Sequence, residues 1–235
     1  MDLNQEFLYL TRMIEEIVRR YQKYSHVYET TRVNKINFSR KQVKHFIGIE
    51  HQVADTTTIK KMEIIDRTIF KEIEIFKNLI NPEDSSVLIE EELSILNTYR
   101  RIKNDKSIYQ KLAKYMSGVL EGGVPIRKCL NDLLGYRFIF TNNLEFDELF
   151  LKLKGIIETD ENLQKKVKVL DSSKDTYRAV HLYFKGKSNS TFPCELQVWL
   201  NEDEKTNTES HDSYKQDYLH WGEKEIPIIE NKRGE

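Results

Sequence analysis

The sequence predicts a mixed α/β fold: a four- to five-stranded sheet flanked by helices, with a helical extension at the N-terminus. Three observations carry this. Apolar residues recur at three- and four-residue spacing across the first 80 residues. Short apolar runs of strand length, LLGYRFIF, AVHLYFK and FPCELQVWL, come later and are separated by polar helical segments. Finally, one acid, Glu195, interrupts the last of these runs and another, Asp132, immediately precedes the first, which a purely structural core would avoid.

Taken in order, Leu3, Phe7, Leu10, Ile14, Ile17 and Tyr21 line one face of a helix. Met62, Ile65, Ile69, Ile73, Phe76 and Ile80 predict a second helix from Ile59 to Ile80, stopped by Asn81-Pro82. Between them Arg32 to His45 carries five Lys and Arg and no acid. It reads either as a solvated loop and helix face or as a contact surface for a phosphate backbone, with Phe38 as a stacking ring. A short helix is expected over Val87 to Tyr99, and another over Ser107 to Glu121 before Gly122-Gly123. Leu133 to Phe140 predicts a strand, and Asn142 with Glu145 suggests a capping pair for a helix reaching Ile157. Lys166 to Asp171, Ala179 to Lys185 and Phe192 to Leu200 predict three more strands, followed by a polar helix from Glu204 to Gly222. This divides the chain into a helical extension (1–85), a catalytic core (86–225) and a tail (226–235).

Composition narrows the function. The 235 residues are 39% hydrophobic and 32% charged, as in an ordinary globular protein. No apolar run approaches the ~20 residues that a membrane span needs. The first residues lack the basic and apolar regions of a secretory signal, and two cysteines, Cys129 and Cys194, are too few for a disulfide framework or zinc site. A reduced cytoplasmic setting is the expectation, with both thiols as small buried hydrophobes. The net charge of −1 hides an uneven distribution: residues 100–187 hold 18 basic and 11 acidic side chains, and residues 188–235 hold 5 and 11. A basic middle in a near-neutral chain points to a local polyanion site rather than general coating of nucleic acid.

Residues two apart in a strand share a face, so Tyr177, Ala179, His181 and Tyr183 point one way and Glu195, Gln197 and Trp199 project together. Glu195 alone would be read as a salt bridge to a lysine. Asp132, at the mouth of another apolar run, favours a shared hard cation instead, and paired carboxylates completed by substrate phosphates suit Mg²⁺. Arg101 and Lys103 project together from an extended lead-in. Ser107 and Lys111 share a helix face that Asn104 or Asp105 caps, leaving backbone N–H groups for an anion. Two acids for a metal and a basic cluster for phosphates point to phosphoryl or pyrophosphoryl transfer from a nucleotide.

In order and spacing, R-x-K-x-x-x-S-x-x-x-K (Arg101, Lys103, Ser107, Lys111), D-L-x-G-x-R (Asp132, Leu133, Gly135, Arg137), Y-R-x-x-H (Tyr177, Arg178, His181) and E-x-Q (Glu195, Gln197) resemble the RelA/SpoT-type synthetase domain of alarmone synthetases, over roughly residues 90–220. The resemblance implies a nucleotidyltransferase-like core that moves the β,γ-pyrophosphate of ATP to a ribose 3′-hydroxyl. Arg101 and Arg137 would sandwich the adenine, and Lys103, Ser107 and Lys111 would hold the phosphates. Asp132 and Glu195 would bind Mg²⁺, with Glu195 also taking the proton of the attacking hydroxyl. Tyr177 would stack on the acceptor base, with His181 and Gln197 beside it. The chain departs from the pattern at Thr176, where the family has glycine, and at Trp199-Leu200, where it has Arg-Thr. The segment Ser210, His211, Tyr214, Lys215 looks like the toxic small-synthetase branch. That branch implies the 3′-terminal adenosine of tRNA as acceptor, a protein antitoxin as partner and no hydrolase domain of its own. Arg40 and Lys41 become the candidate tRNA contacts. The alternatives are GDP, GTP or an adenosine nucleotide as acceptor, or a non-catalytic nucleotide- or RNA-binding sensor; the full set of carboxylates and phosphate-facing side chains weighs against the sensor.

Overall fold

The computed structural model describes residues 2–32, 34–53, 58–81, 98–210 and 225–227. At its centre is a five-stranded sheet of order β3-β4-β7-β6-β5, made by β3 (Thr98–Ile102), β4 (Leu134–Phe140), β5 (Val167–Asp171), β6 (Val180–Phe184) and β7 (Cys194–Leu200). β4 and β7 run parallel, and every other pairing is antiparallel. The parallel pair requires a crossover, and α5 (Phe146–Thr159), α6 (Glu161–Lys166) and the β5-β6 hairpin supply it. The mixed five-stranded sheet flanked by helices is therefore as the sequence predicts.

One face of the sheet is apolar. Leu134, Tyr136, Phe138 and Phe140 of β4, Val180, Leu182 and Phe184 of β6, and Leu196, Val198 and Leu200 of β7 join one continuous buried cluster. α1 (Leu3–Thr31) covers this face, and its periodic residues Leu10, Ile14, Ile17 and Tyr21 are buried in the same cluster. An Asp2–Gln5 capping box starts the helix. The Phe7 ring lies 4.8 Å from that of Phe140, and Tyr28 donates a 2.7 Å hydrogen bond to Glu72 on α2 (Arg67–Ile80).

Several local expectations change. The helix expected from Ile59 to Ile80 is a strand, β2 (Thr58–Ile65), followed by α2. Ile59, Met62 and Ile65 match a helical spacing by coincidence. The segment is rich in β-branched residues and pairs along its whole length with β1 (Ile47–Val53). Asp66 starts the true helix by accepting a 2.6 Å bond from the Thr68 amide. β8 (Glu225–Pro227) adds a third strand to β1 and β2, so a second sheet exists that the hydrophobic pattern did not reveal. Thr98 and Tyr99 belong to β3 rather than to a helix; the rest of the Val87–Tyr99 expectation lies outside the described residues. α3 (Asp105–Ser117) ends four residues before Glu121, because Gly118 caps it and the chain turns through Glu121 and Gly122 at positive φ.

Asn142 does not cap α5. Its side-chain amide donates at 2.8 Å to Glu6, which also accepts from the Thr141 amide at 2.8 Å and hydroxyl at 2.6 Å. Burial by itself raises the Glu6 pKa, but these donors overcome it and hold the carboxylate below its ordinary value. Phe38 is fully buried and stacked on Phe192 at 4.4 Å, so it cannot stack on a base. No helix among the described residues is long and apolar enough to cross a membrane.

The Glu6 cluster ties the start of α1 to the loop after β4. Glu6→Ala strands several donors and should cost about 3 kcal/mol, read as a lower urea midpoint at pH 7. Because the native pKa is depressed, this contribution is present above the ordinary carboxylate range and fades as pH falls through the native value.

Candidate active site

The sheet's other face carries the polar residues, and strand register alone puts them there. Arg101 pairs with Gly135, Gly135 with Glu195, and Glu195 with Tyr183, forming one row across four strands. A second row runs Tyr99, Arg137, Gln197, His181. Ile139, Trp199 and Ala179 form a small apolar cluster behind them, with Tyr177 against it. Cross-strand partners share a face, so the arginines, Glu195, Gln197 and the His181 ring are brought onto one surface.

Asp132 lies just before β4, beside the position where Glu195 enters β7. Lys103 continues β3 by donating its amide to the Leu133 carbonyl at 2.9 Å. Its ammonium reaches Asp132 Oδ2 at 2.6 Å, and Lys111 on α3 reaches Oδ1 at 3.0 Å and Asn131 Oδ1 at 3.1 Å. Burial would raise the Asp132 pKa, but the two ammonium charges dominate and hold it well below the usual carboxylate range. Burial lowers the Lys103 pKa, whereas on Lys111 the Asp132 charge outweighs burial and raises it. The Cys129 thiol, buried behind the cluster, is pushed up to about 12 by burial and is no nucleophile.

Glu195 has other partners. Its Oε1 lies 3.1 Å from His181 Nδ1, and its Oε2 accepts from Gln197 Nε2 at 2.9 Å. Burial raises its pKa and the Asp132 charge adds to the rise, but the His181 contacts prevail, so the carboxylate stays below its ordinary value. A carboxylate only accepts, so His181 Nδ1 carries a proton in this contact. In the neutral ring Nε2 then accepts from the Tyr177 hydroxyl, 2.9 Å away. Gln197 is oriented by the same logic: its Oε1 accepts from Arg137 Nη2 at 3.2 Å while its amide faces Glu195. The two carboxylates are thus held charged and near enough to repel, and paired carboxylates are groups that could hold a hard divalent cation completed by phosphate oxygens. Among the described residues no cluster of three or more His, Cys, Asp or Glu could hold a metal ion.

Arg101 is exposed on β3, and its charge lowers the pKa of the half-buried Arg137 beyond the larger effect of burial. Ser107 sits in the first turn of α3, but its amide is spent on the Asn104 cap at 2.8 Å. The expectation of a wholly free helix start for an anion is corrected to that extent. Arg40 and Lys41 are exposed and lie outside the polar face. Their segment runs alongside residues 122–127, with Ile126 donating to the Lys41 carbonyl at 2.9 Å. Of the Ser210–Lys215 segment only Ser210 is described, and its hydroxyl bonds that of Thr176 at 2.9 Å.

Four residues of this face carried no role in the sequence reading. Tyr183 places its hydroxyl 3.1 Å from His181 Nδ1, and Asn131 steadies Lys111. Trp199 lies under the Arg137 guanidinium. Gly135 is the fourth. A Cβ there would meet nothing closer than the Arg101 carbonyl at 3.9 Å, so packing does not demand glycine; its bare backbone keeps the floor between Arg101 and Glu195 open. Alternation in the strands already put Tyr183 and Trp199 on the right face, and that was the available signal.

Asp132→Asn leaves two buried ammonium groups without their counter-charge, at a cost of about 3 kcal/mol at pH 7. The wild-type contribution is complete above the unfolded carboxylate pKa and is lost as pH falls through the depressed native value. Urea titrations of both proteins should therefore show a stability gap that holds from pH 7 down to about pH 4 and narrows below it.

A family model described as "Region found in RelA / SpoT proteins" matches residues 100–218, half of the chain. Among solved structures, the small alarmone synthetase 1 from Bacillus subtilis bound to pppGpp is 18% identical over 62% of this chain and 76% of its own, with a TM-score of 0.34. The small alarmone synthetase 2 from Bacillus subtilis is 18% identical over 65% and 88%, with a TM-score of 0.37. A GTP pyrophosphokinase family protein from Streptococcus pneumoniae is 14% identical over 65% and 81%, with a TM-score of 0.34. A comparison with curated protein sequences found no match. The family match begins inside β3 and takes in all of β4 to β7, so the polar face and the sheet that builds it fall within one recognised region: the chain belongs to the RelA/SpoT family and is a pyrophosphokinase of that type.

Proposed function

We propose that this pyrophosphokinase transfers the β,γ-pyrophosphate of ATP to the 3′-hydroxyl of the terminal adenosine of tRNA. The observation that carries the catalytic half is the meeting of Lys103 and Lys111 on both oxygens of Asp132, with the Glu195 carboxylate within electrostatic reach. Two ammonium groups sharing one carboxylate hold a spare positive charge, and a triphosphate is the ligand that exploits it. Arg101 and Arg137 hold the adenine between flat guanidiniums, which lysine cannot imitate. Lys103 and Lys111 turn from Asp132 to the phosphates, and the Ser107 hydroxyl joins them. Asp132 and Glu195 would hold Mg²⁺, which would neutralise phosphate charge and align the reacting groups.

Glu195 takes the proton of the attacking 3′-hydroxyl, and His181 and Gln197 keep its oxygens aimed. The 3′-oxygen bonds to the β-phosphorus while the bond from that phosphorus to the α,β-bridging oxygen breaks, and AMP leaves. Tyr177 stacks on the acceptor base. Little covalent work falls to the protein beyond alignment and charge neutralisation.

The acceptor assignment draws on the resemblance to the toxic branch and on the basic strip. Arg40, Lys41 and Lys44 are exposed on a segment hydrogen-bonded to residues 122–127. The short helix α4 (Ile126–Cys129) that follows exposes Lys128 and leads directly to Asp132. A polyanion lying on this strip has one end near the carboxylates. A pyrophosphate on the tRNA 3′-end blocks aminoacylation, so such an enzyme acts as a toxin and calls for a protein antitoxin.

Incubation with γ-³²P-ATP and either deacylated tRNA, GDP, GTP or AMP tests the acceptor. Label should appear on tRNA; label only on a free nucleotide would assign the chain to alarmone synthesis instead. Glu195→Gln should lower the transfer rate at least about 100-fold with the fold retained, and an unchanged rate would remove Glu195 from the mechanism. Arg40→Glu with Lys41→Glu should leave ATP binding intact, weaken tRNA binding and flatten its dependence on salt by about two in log–log slope.

A further inference from the structure

The fully buried indole of Trp199 touches both halves of the polar face. The Arg137 guanidinium carbon lies over the ring, 3.5 Å from its centroid, in cation–π contact. On the other side the indole Nε1–H donates to the Tyr177 hydroxyl at 3.3 Å, and the two rings meet edge to face at 6.0 Å. Arg137 stands on β4 and Tyr177 in the loop before β6; β7, which carries Trp199, lies between those strands.

We propose that Trp199 is a positioning residue that sets the donor-binding Arg137 and the acceptor-binding Tyr177 at a fixed separation. This rests on the donor and acceptor roles assigned above. An arginine that stacks on adenine must keep one guanidinium face free, and Trp199 occupies the opposite face, so the plane is presented without a search over rotamers. The Arg137 bonds to Gln197 fix the same plane at its edge. Tyr177 needs the same help. It lies outside the regular strand, and its hydroxyl is tied by the indole N–H on one side and by His181 Nε2 on the other. The ring is thereby held by its oxygen. One rigid bicycle, locked in a strand whose seven residues are all buried, thus serves as the gauge between two nucleotides whose reacting atoms must meet within a few tenths of an ångström.

The two contacts can be separated. Trp199→Phe keeps an aromatic plane under Arg137 and deletes the N–H to Tyr177; Trp199→Leu deletes both. Using the full chain, binding of a non-hydrolysable ATP analogue is measured by calorimetry, and KM and kcat are measured with whichever acceptor the wild type labels. Trp199→Phe should bind the ATP analogue within about threefold of wild type while its acceptor KM rises about tenfold. Trp199→Leu should weaken ATP binding about tenfold as well. A purely structural tryptophan would instead lower thermal stability with no split between the two affinities, and that result would overturn the proposal.

Should Trp199→Phe fail to fold, Tyr177→Phe removes the same hydrogen bond from its half-exposed end. It must raise the acceptor KM and leave ATP binding unchanged; wild-type acceptor binding would overturn the proposal. In a double-mutant cycle the two Phe variants together should be no worse than Tyr177→Phe alone. A wild-type chain that labels no acceptor defeats the proposed function. The ATP arm still decides the Arg137 half independently: unaltered ATP affinity in Trp199→Leu refutes it.

Discussion

The parallel register of β4 on β7 is the constraint from which the rest of the site follows. It sets Gly135 beside Glu195 and Arg137 beside Gln197. A slip of one residue would turn every side chain of a strand to the other face. Glu195, Gln197 and Trp199 would then enter the apolar cluster, and Leu196 and Val198 would emerge among the arginines. β7 is the strand least able to slip, because each of its seven residues is buried and the two faces differ completely in chemistry. The hydrophobic difference between the faces is what aims the catalytic carboxylate.

Burying an acid and an amide in the middle strand carries a desolvation cost that only saturated hydrogen bonding offsets. The site meets that demand by a directed chain: Arg137 donates to Gln197, Gln197 donates to Glu195, and His181 closes on the remaining Glu195 oxygen. Asp132 is treated differently. Both its partners are lysines, one on β3's extension and one on α3. Glu195 is thus held by partners on its own sheet, whereas the Asp132 oxygens are held by ammonium groups that, on the proposed function, a triphosphate would attract away. The two carboxylates differ in how readily they change partners, and this follows from where their partners are anchored.

Most of the central sheet is legible in the sequence, because period-two alternation in YRAVHLYF and ELQVWL separates the polar face from the apolar one before any coordinates are known. The misread parts have identifiable causes. Ile59, Met62 and Ile65 satisfy a helical spacing while lying in a strand, and only pairing with β1 arbitrates between the two periods. Phe38 looks like a free ring among lysines, yet it fills a cluster with Phe192 that depends on a residue more than 150 positions away. Asn142 has the right spacing to cap a helix, but Glu6 from the far end of the chain takes its side chain. Each error is local pattern overruled by a long-range contact. The partners of Glu195 were hidden for the same reason: the sequence offered a lysine or a cation shared with Asp132, and the contacts that the fold supplies are His181 and Gln197.

The spacing of the strands argues for how two nucleotides fit. Adjacent strands stand about 4.8 Å apart, so the row Arg101, Gly135, Glu195, Tyr183 spans about 14 Å. That is room for two nucleotides side by side. The row has side chains at both ends and beside its centre but none at Gly135, the one position with open floor. Adenine on the arginines of β3 and β4 and an acceptor base on Tyr177 beyond β7 would bring the β-phosphate and the attacking hydroxyl over that gap. Glu195 flanks it from β7, and Asp132 lies three residues before it in the approach to β4. A side chain larger than a methyl at residue 135 would obstruct the transfer path without disturbing the core beneath. On this geometry the glycine is a requirement of the chemistry, since the protein's own packing leaves the space open.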